Sequence, residues 1–255
     1  MATATPSTGT LPDWDADSPT LKSNLAVVDR KIHADAAARV PPSFEDARDW
    51  HSAMMVGLNP GPDPIAVGHF RGEPGLESCR VGVGRFVSGK PVGPVQMGTE
   101  PSLVGTELQK FEDELQAQLK PLDKKYPTAA SLDRAGVGKV IHVAAWAHSE
   151  WVRIHPFANG NGRTARMWAN LVLLRFGVPP VMRLRPRPDG RDEVEYANAG
   201  KAGMKRDQVP ARVYIRRKID EEIKSCKTAA AQKALTSTAA ATNKARTKST
   251  GRKTS

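Results

Sequence analysis

The sequence predicts a mainly α-helical protein, a bundle of helices with one small β-hairpin. Apolar residues recur at intervals of three and four in seven segments, a period that places them on one face of a helix. One stretch, residues 59–99, is instead rich in glycine and proline and contains short alternating runs. With 255 residues and 39% hydrophobic side chains, the chain is long enough to bury one substantial core and to carry a tail.

The first two helices lie before this glycine-rich stretch. The spacing predicts a helix over residues 21–37 that ends before Pro41 and Pro42, and its inward positions are Leu21, Leu25, Val28, Ile32 and Ala36. A second helix is predicted from Phe44 to about Gly57. Ser43 is its expected N-cap, because a serine hydroxyl accepts a hydrogen bond from an amide of the first turn.

The alternating residues Val81 to Val87 predict a β-hairpin over about residues 79–95. Forty residues without a helix are unusual in a compact helical domain, and such segments are often functional. An ordinary surface loop is the alternative interpretation.

Helical spacing returns after the hairpin. A helix is predicted from Pro101 to Leu119, where Pro121 should stop it, because proline lacks the N–H that continues a helix. The remaining helices are predicted at residues 137–152, from the glycine-rich motif to Gly177, at 192–204 and at 207–223. The helix that ends at Gly177 is so apolar that it should be central.

Residues 155–166, His-Pro-Phe-Ala-Asn-Gly-Asn-Gly-Arg-Thr-Ala-Arg, have the composition of a phosphate-handling active site. His155 is the natural general base, since an imidazole exchanges a proton near neutral pH. Gly160 and Gly162 can adopt positive φ, so that backbone N–H groups at the start of the next helix could bind an anion. Arg163 and Arg166 are three residues apart and should share a helix face, where two guanidinium groups could hold further phosphate oxygens.

These residues resemble the signature of the Fic (Fido) family, which reads His-Pro-Phe-x-Asp/Glu-Gly-Asn-Gly-Arg-x-x-Arg. Eight of its nine specified positions are present in order and at the same spacing. The resemblance implies a Fic-type helical bundle over residues 20–223, with a β-hairpin flap over the active site. It also implies an enzyme, a nucleotidyltransferase that moves AMP from ATP to a hydroxyl side chain of a target protein.

Roles follow from the resemblance by position. His155 would deprotonate the target hydroxyl, and the flap residues Val81, Gly82, Val83 and Gly84 would hold the target segment as an added strand. Pro156 and Phe157 would anchor the loop in the core. The nucleotide would be bound by Asn159, Gly160, Asn161, Gly162, Arg163, Thr164, Ala165 and Arg166, with Gly160 to Gly162 around the α- and β-phosphates, Arg163 at the β-phosphate and Arg166 at the γ-phosphate. Tyr196 would lie beside the adenine, or else pack at an edge of the fold.

Asn159 departs from the family signature, which has a carboxylate that coordinates Mg²⁺ at this position. An amide oxygen is a possible ligand but brings no negative charge, so Mg²⁺ affinity should be weaker and the nucleotide would carry the ion in. Three functions stay open: AMP transfer, transfer from another donor such as a phosphate or another nucleotide, and a non-catalytic nucleotide-binding module. The intact His155 argues against the last of these.

Regulation is a further expectation from the resemblance. Many family members carry an inhibitory Ser/Thr-x-x-x-Glu-Gly/Asn motif, but no glutamate of this chain is followed by glycine or asparagine. Either a separate antitoxin-like inhibitor or no such control is therefore expected.

The formal net charge of +11 is concentrated at one end of the chain. Residues 224–255 contain eight lysines and arginines and no acidic residue. This basic, alanine- and threonine-rich tail is predicted to be disordered and to keep the protein soluble, with nucleic acid or an acidic partner as the alternative ligand. Residues 1–19 are predicted to be a flexible leader.

The expected location is cytoplasmic. The chain has no secretory signal and no apolar run long enough to cross a membrane, and Cys79 and Cys226 do not form a disulfide pattern. Export as an effector through another signal stays open.

Overall fold

The computed structural model describes residues 18–228 except 60, 88, 89 and 187, and within 85–94 it describes only the backbone. Most of the predicted leader and tail therefore lies outside the described residues. The chain divides into two compact units, one that ends at Arg216 and one that begins at Arg217.

The prediction of a mainly helical fold with one hairpin is confirmed. The elements are α1 (Pro19–Ala38), α2 (Phe44–Met55), β1 (Gly82–Val87), β2 (Lys90–Met97), α3 (Val104–Lys125), α4 (Arg134–Ile154), α5 (Asn161–Arg175), α6 (Gly190–Gly203) and α7 (209–228). The two strands pair in antiparallel register, with Gly82 opposite Met97 and a bulge between Val83 and Arg85.

Ser43 is the N-cap of α2, as predicted. Its hydroxyl accepts a hydrogen bond from the amide of Glu45 at 3.3 Å, and its own amide donates to Asp46 Oδ2 at 2.9 Å. This reciprocal capping box fixes the start of the helix that later carries His51 to the site.

The prediction that Pro121 ends the third helix is wrong, because α3 continues to Lys125. Pro121 is exposed, so its ring meets no tertiary obstacle, and only the hydrogen bond to the carbonyl of Ala117 is lost. Burial of Leu122 and a 2.7 Å hydrogen bond from the amide of Tyr126 to its carbonyl hold the last turn.

The helix α5 is central, as its apolar sequence predicts. Nearly all of its residues are buried, and Trp168 packs against aromatic rings from three other helices. Ring centroids lie 4.7 Å apart for Trp50 and Trp168, 5.4 Å for Trp151 and Trp168, and 5.3 Å for Phe111 and Trp168. Because α5 is enclosed on so many sides, its first turn is a rigid platform.

None of the helices in the described part of the chain combines the length and the apolarity that crossing a membrane would require.

Candidate active site

His155 lies at the end of α4 in the left-handed conformation, with φ 54° and ψ 55°. Few residues other than glycine adopt this conformation, which ends the helix and leads the chain into the loop before α5. The amide of His155 still donates to the carbonyl of Trp151 at 2.9 Å. The candidate base is thus held by the helix that it terminates.

The ring of His155 has a defined tautomer. Its Nδ1 lies 3.0 Å from the carbonyl oxygen of Val152, an acceptor only, so Nδ1 carries the proton and Nε2 is left with its lone pair. Burial, with a smaller effect of the Arg71 charge, lowers the pKa of His155 to about 4. At neutral pH the imidazole is therefore uncharged and Nε2 can accept a proton.

The loop after His155 is closed by the side chain of Asn161. Its Oδ1 accepts from the amide of Phe157 at 2.9 Å, and its Nδ2 donates to the carbonyl of the same residue at 2.7 Å. Phe157 is fully buried and stacks on His51 with ring centroids 4.1 Å apart. The Asn161 side chain is thus occupied within the protein, and only its backbone N–H is left for a ligand.

Gly160 begins α5 at φ +73°. A side chain there would be strained, and a Cβ would lie 2.8 Å from Met54 Cε. The amides of Arg163 and Thr164 both donate to the carbonyl of Gly160, at 3.0 and 3.1 Å. The amides of Asn161 and Gly162 precede them in the first turn, where helical N–H groups lack intrahelical partners and favour anions.

Positive φ at Gly162 is a wrong prediction, since this residue is the second of α5 and has helical backbone. Its missing side chain matters instead for space. A Cβ would lie 3.6 Å from Arg166 Nη1 and 3.7 Å from the Tyr196 hydroxyl, so glycine leaves these two polar groups accessible from the turn.

The two arginines of the motif are buried but reach different neighbours. Arg163 Nη1 lies 3.8 Å from the sulfur of Met54 in α2. Arg166 turns to α6, where Nη1 donates to the Tyr196 hydroxyl at 2.9 Å and Nη2 to the carbonyl of Leu184 at 3.1 Å. Among the described residues Nε of Arg166 has no acceptor and no carboxylate bonds to this guanidinium, so its charge is available to an anion.

Tyr196 lies between Arg166 and His148. Its hydroxyl is 3.1 Å from His148 Nε2 and 3.2 Å from the carbonyl of Gly162. Burial lowers the pKa of His148 to about 3, so this histidine is neutral and contacts the Tyr196 hydroxyl as an uncharged hydrogen-bond partner. The position beside an adenine stays a prediction for Tyr196. Thr164 and Ala165 are fully buried, and the Thr164 hydroxyl accepts from Trp151 Nε1 at 2.7 Å, so their side chains face the core.

The hairpin is attached to the end of α4 through Arg71, which is 2% exposed. Its guanidinium donates to four carbonyls, those of His155 at 2.6 Å, Thr99 at 2.8 Å, Ile154 at 2.9 Å and Cys79 at 3.1 Å. Gly98, at the end of β2, packs so closely that a Cβ would lie 2.6 Å from His155 Cβ. One buried cation and one glycine therefore join both ends of the hairpin to the candidate base.

Asn159 contacts His51 from α2. The Nε2 of His51 lies 3.2 Å from Asn159 Oδ1 and 3.3 Å from Asn159 O, while its Nδ1 accepts from the amide of Gly68 at 3.0 Å. Burial lowers the pKa of His51 to about 4, which keeps the ring neutral.

The Mg²⁺ site implied by the family signature fits these residues poorly. The described residues contain no group of three histidine, cysteine or acidic side chains that could hold a metal ion. The one oxygen that Asn159 offers already accepts a hydrogen bond from His51. Oxygen ligands for such an ion would have to come mainly from a nucleotide and water.

The fold and the site together define a helical domain with a candidate anion site at the start of its central helix and a histidine at the end of the preceding one. Residues 41–173 match the Fic/DOC family, and these are more than half of the chain. The chain belongs to the Fic/DOC family.

Relatives are similar over part of their length. Protein adenylyltransferase fic-1 of Caenorhabditis elegans is 30% identical over 159 residues, which are 62% of this chain and 24% of that protein. Protein adenylyltransferase Fic of Nematostella vectensis is 48% identical over 61 residues, 24% of this chain and 14% of that protein. The chain spans at most about a quarter of the length of these relatives.

Two solved structures share the fold. A Fic-domain signalling protein from Bacteroides thetaiotaomicron has 20% identity and a TM-score of 0.51, covering 82% of this chain and 72% of that one. A Fic-1 fragment from Caenorhabditis elegans has 23% identity and a TM-score of 0.51, covering 81% of this chain and 48% of that one.

Sequence reasoning missed three residues that touch this site: His51, Arg71 and Gly98. For Arg71 the only signal in the sequence is a weak resemblance of residues 69–72, His-Phe-Arg-Gly, to a segment of the family. The other two lie far along the chain from the residues they contact and carry no local pattern.

Proposed function

We propose that this domain transfers AMP from ATP to a hydroxyl side chain of a target protein, with His155 as the general base. The observation that carries the proposal is the pairing of a neutral His155, whose Nε2 has a lone pair, with the nearby first turn of α5. That turn offers unpaired amides, and Arg166 is buried one turn further along α5, where its hydrogen-bond partners among the described residues are all uncharged. A general base and an anion-binding site therefore lie within one short segment of the chain.

The proposed reaction is an in-line displacement. The hydroxyl oxygen of a Ser, Thr or Tyr side chain attacks the α-phosphorus of ATP, its proton passes to Nε2 of His155, and the bond to the β-phosphate breaks to release pyrophosphate. The amides of residues 160–162 stabilise the charge on the α- and β-phosphates, and Arg163 and Arg166 hold the β- and γ-phosphates.

The low pKa of His155 is compatible with this role. A triphosphate beside the ring brings negative charge, which favours the imidazolium and raises the pKa toward the range in which proton transfer is efficient. The hairpin would position the target, since a segment added as a strand to its edge would lie over the residue that Arg71 and Gly98 hold.

Labelled nucleotides test the proposal. Purified protein is incubated with candidate target proteins and ATP labelled either at the α- or at the γ-phosphate. Protein-bound label from the α-phosphate alone supports AMP transfer, and label from the γ-phosphate alone supports phosphate transfer. No label from either, together with ATP binding, would support the non-catalytic nucleotide-binding module.

The base is tested with His155→Ala. Transfer should fall by at least about a hundredfold, because general-base catalysis contributes 10²–10⁴ in rate, while ATP affinity stays within about threefold of wild type. Unchanged transfer by this variant would remove His155 from its proposed role.

A further inference from the structure

The hydrogen bonds of His51 decide which way the Asn159 side chain faces. A backbone N–H only donates, so the Nδ1 of His51 that it contacts at 3.0 Å must be the acceptor. A neutral imidazole has one N–H, which is then on Nε2. The Nε2 of His51 therefore donates, and both atoms within its reach on Asn159 must be oxygens.

This assignment fixes the orientation of the Asn159 side-chain amide. With Oδ1 turned toward His51, the NH₂ group of Asn159 lies in the amide plane on the opposite side of Cγ from Oδ1. Asn159 is half-buried, and its Nδ2 makes no hydrogen bond with any described residue. The group that Asn159 offers to a ligand is a donor with two hydrogens.

His51 itself has little freedom to let the amide turn over. Its ring is fully buried and stacks on Phe157 at 16° between planes. Gly160 also approaches the ring so closely that a Cβ there would lie 3.2 Å from His51 Nε2. A flip of Asn159 would place its NH₂ against the Nε2–H, two donors face to face.

We propose that Asn159 is a hydrogen-bond donor to a phosphate oxygen of the nucleotide, positioned by His51, and not a metal ligand. The proposal rests on the nucleotide binding of the proposed function and adds what this residue does there. A metal ion would have to share Oδ1 with the Nε2–H of His51, whereas an anionic oxygen finds two unpaired donors on the same side chain and further N–H groups at the start of α5.

The test is ATP binding, measured by calorimetry in Mg²⁺ and in EDTA for wild type, Asn159→Ala and Asn159→Asp. Wild-type affinity should differ by less than about threefold between the two media. Asn159→Ala should bind about tenfold more weakly than wild type in both, the usual cost of a lost hydrogen bond to a charged group.

ATP binding by Asn159→Asp should, in contrast, depend strongly on Mg²⁺. In EDTA its carboxylate repels the phosphates, so that binding is at least about tenfold weaker than wild type, and Mg²⁺ should restore most of the loss. Its transfer should accordingly gain a strict dependence on Mg²⁺.

The positioning role of His51 has its own readout. His51→Leu removes the donor, so ATP binding in EDTA should weaken about tenfold in the wild-type background and hardly at all in the Asn159→Ala background. A merely structural role of His51 would give equal losses in both. Thermal melting of each variant shows whether the fold is kept.

The outcomes separate the two proposals. Wild-type binding that depends on Mg²⁺ as strongly as that of Asn159→Asp, or Asn159→Ala binding equal to wild type in EDTA, would overturn the donor role while AMP transfer stands. A wild-type protein that binds no ATP in either medium would overturn both.

Discussion

At the scale of single residues, Arg71 is a buried cation whose guanidinium donates hydrogen bonds to backbone carbonyls and, among the described residues, not to a carboxylate. Four carbonyl oxygens surround its guanidinium, and burial lowers its pKa, although the group stays charged at any ordinary pH. The four carbonyls come from three separate segments of the chain. The planar fork of the guanidinium is therefore what fixes the relative position of His155 and the hairpin.

Arg71→Lys should weaken both the fold and the reaction. A lysine has one nitrogen and cannot reach carbonyls that lie around three nitrogens, so buried acceptors lose their donors. We expect the free energy of unfolding to drop by about 2–4 kcal/mol and transfer to fall more than about tenfold. Thermal melting and labelled-ATP transfer measure the two effects.

Arg191→Lys is the matched control, since the Arg191 side chain is 75% exposed and pairs with Glu195 at the surface. It should melt and react like wild type. An Arg71→Lys protein that equals this control in both assays would show that Arg71 has no positioning role.

The sequence predicts those site residues that lie close together along the chain, and it misses those that contact the site from distant positions. Residues 155–166 could be identified because they form one contiguous motif, and each carries its chemistry in its type. His51, Arg71 and Gly98 act through contacts with residues more than fifty positions away, which periodicity does not report. The assignment of ligand roles within the motif stays a prediction.

At the scale of elements, the apolar period located every α-helix of the described residues but not every helix end. It failed at Pro121, where local propensity favours a stop but tertiary burial of Leu122 and Tyr126 continues the helix. The hairpin was predicted from its alternating residues. Its attachment to α4 was not, since that depends on Gly98, a glycine with no turn around it.

Gly98→Ala should slow transfer more than it weakens nucleotide binding. The new Cβ would lie 2.6 Å from His155 Cβ and 3.1 Å from Arg71 Nη2, so the hairpin base or the histidine must shift. We expect a loss of about tenfold or more in kcat with ATP affinity within about threefold of wild type. Gly105→Ala, where a Cβ meets nothing within 4 Å, is the control and should leave both unchanged.

Pro121→Ala should stabilise the protein by about 1–3 kcal/mol, because alanine restores the hydrogen bond to Ala117 and has a higher helix propensity. Chemical denaturation measures this difference. Pro19→Ala is the control: Pro19 lies at the first position of α1, where proline is favourable, so no gain is expected. A Pro121→Ala protein no more stable than wild type would mean that the hydrogen bond missing at Ala117 and the low helix propensity of proline cost nothing at this position.

At the scale of the whole molecule, burial of neutral histidines makes the fold sensitive to mild acid. His51 and His148 are both fully buried, with the pKa lowered to about 4 and to about 3, while the ordinary value is 6.5. Below pH 6.5 the unfolded chain takes up protons on these rings and the folded chain does not. The free energy of unfolding therefore falls as the pH drops from 6.5 toward 4, and the loss levels off only near the folded pKa values.

The size of this effect is measurable between pH 7 and pH 5, where most carboxylates are still ionised. Between pH 7 and pH 5 the free energy of unfolding should fall by about 2 kcal/mol for each of His51 and His148, and by a similar amount for His155, whose pKa is also about 4. Urea denaturation at the two pH values gives the total, and His148→Gln, which cannot take up a proton, should show a smaller drop than wild type. His33→Gln is the matched control, because the His33 side chain is 47% exposed and should leave the drop unchanged. Equal stability of the wild type at pH 7 and pH 5 would mean that these rings accept protons in the folded state, so the neutral tautomers on which the Asn159 and His155 assignments depend would have to be revised.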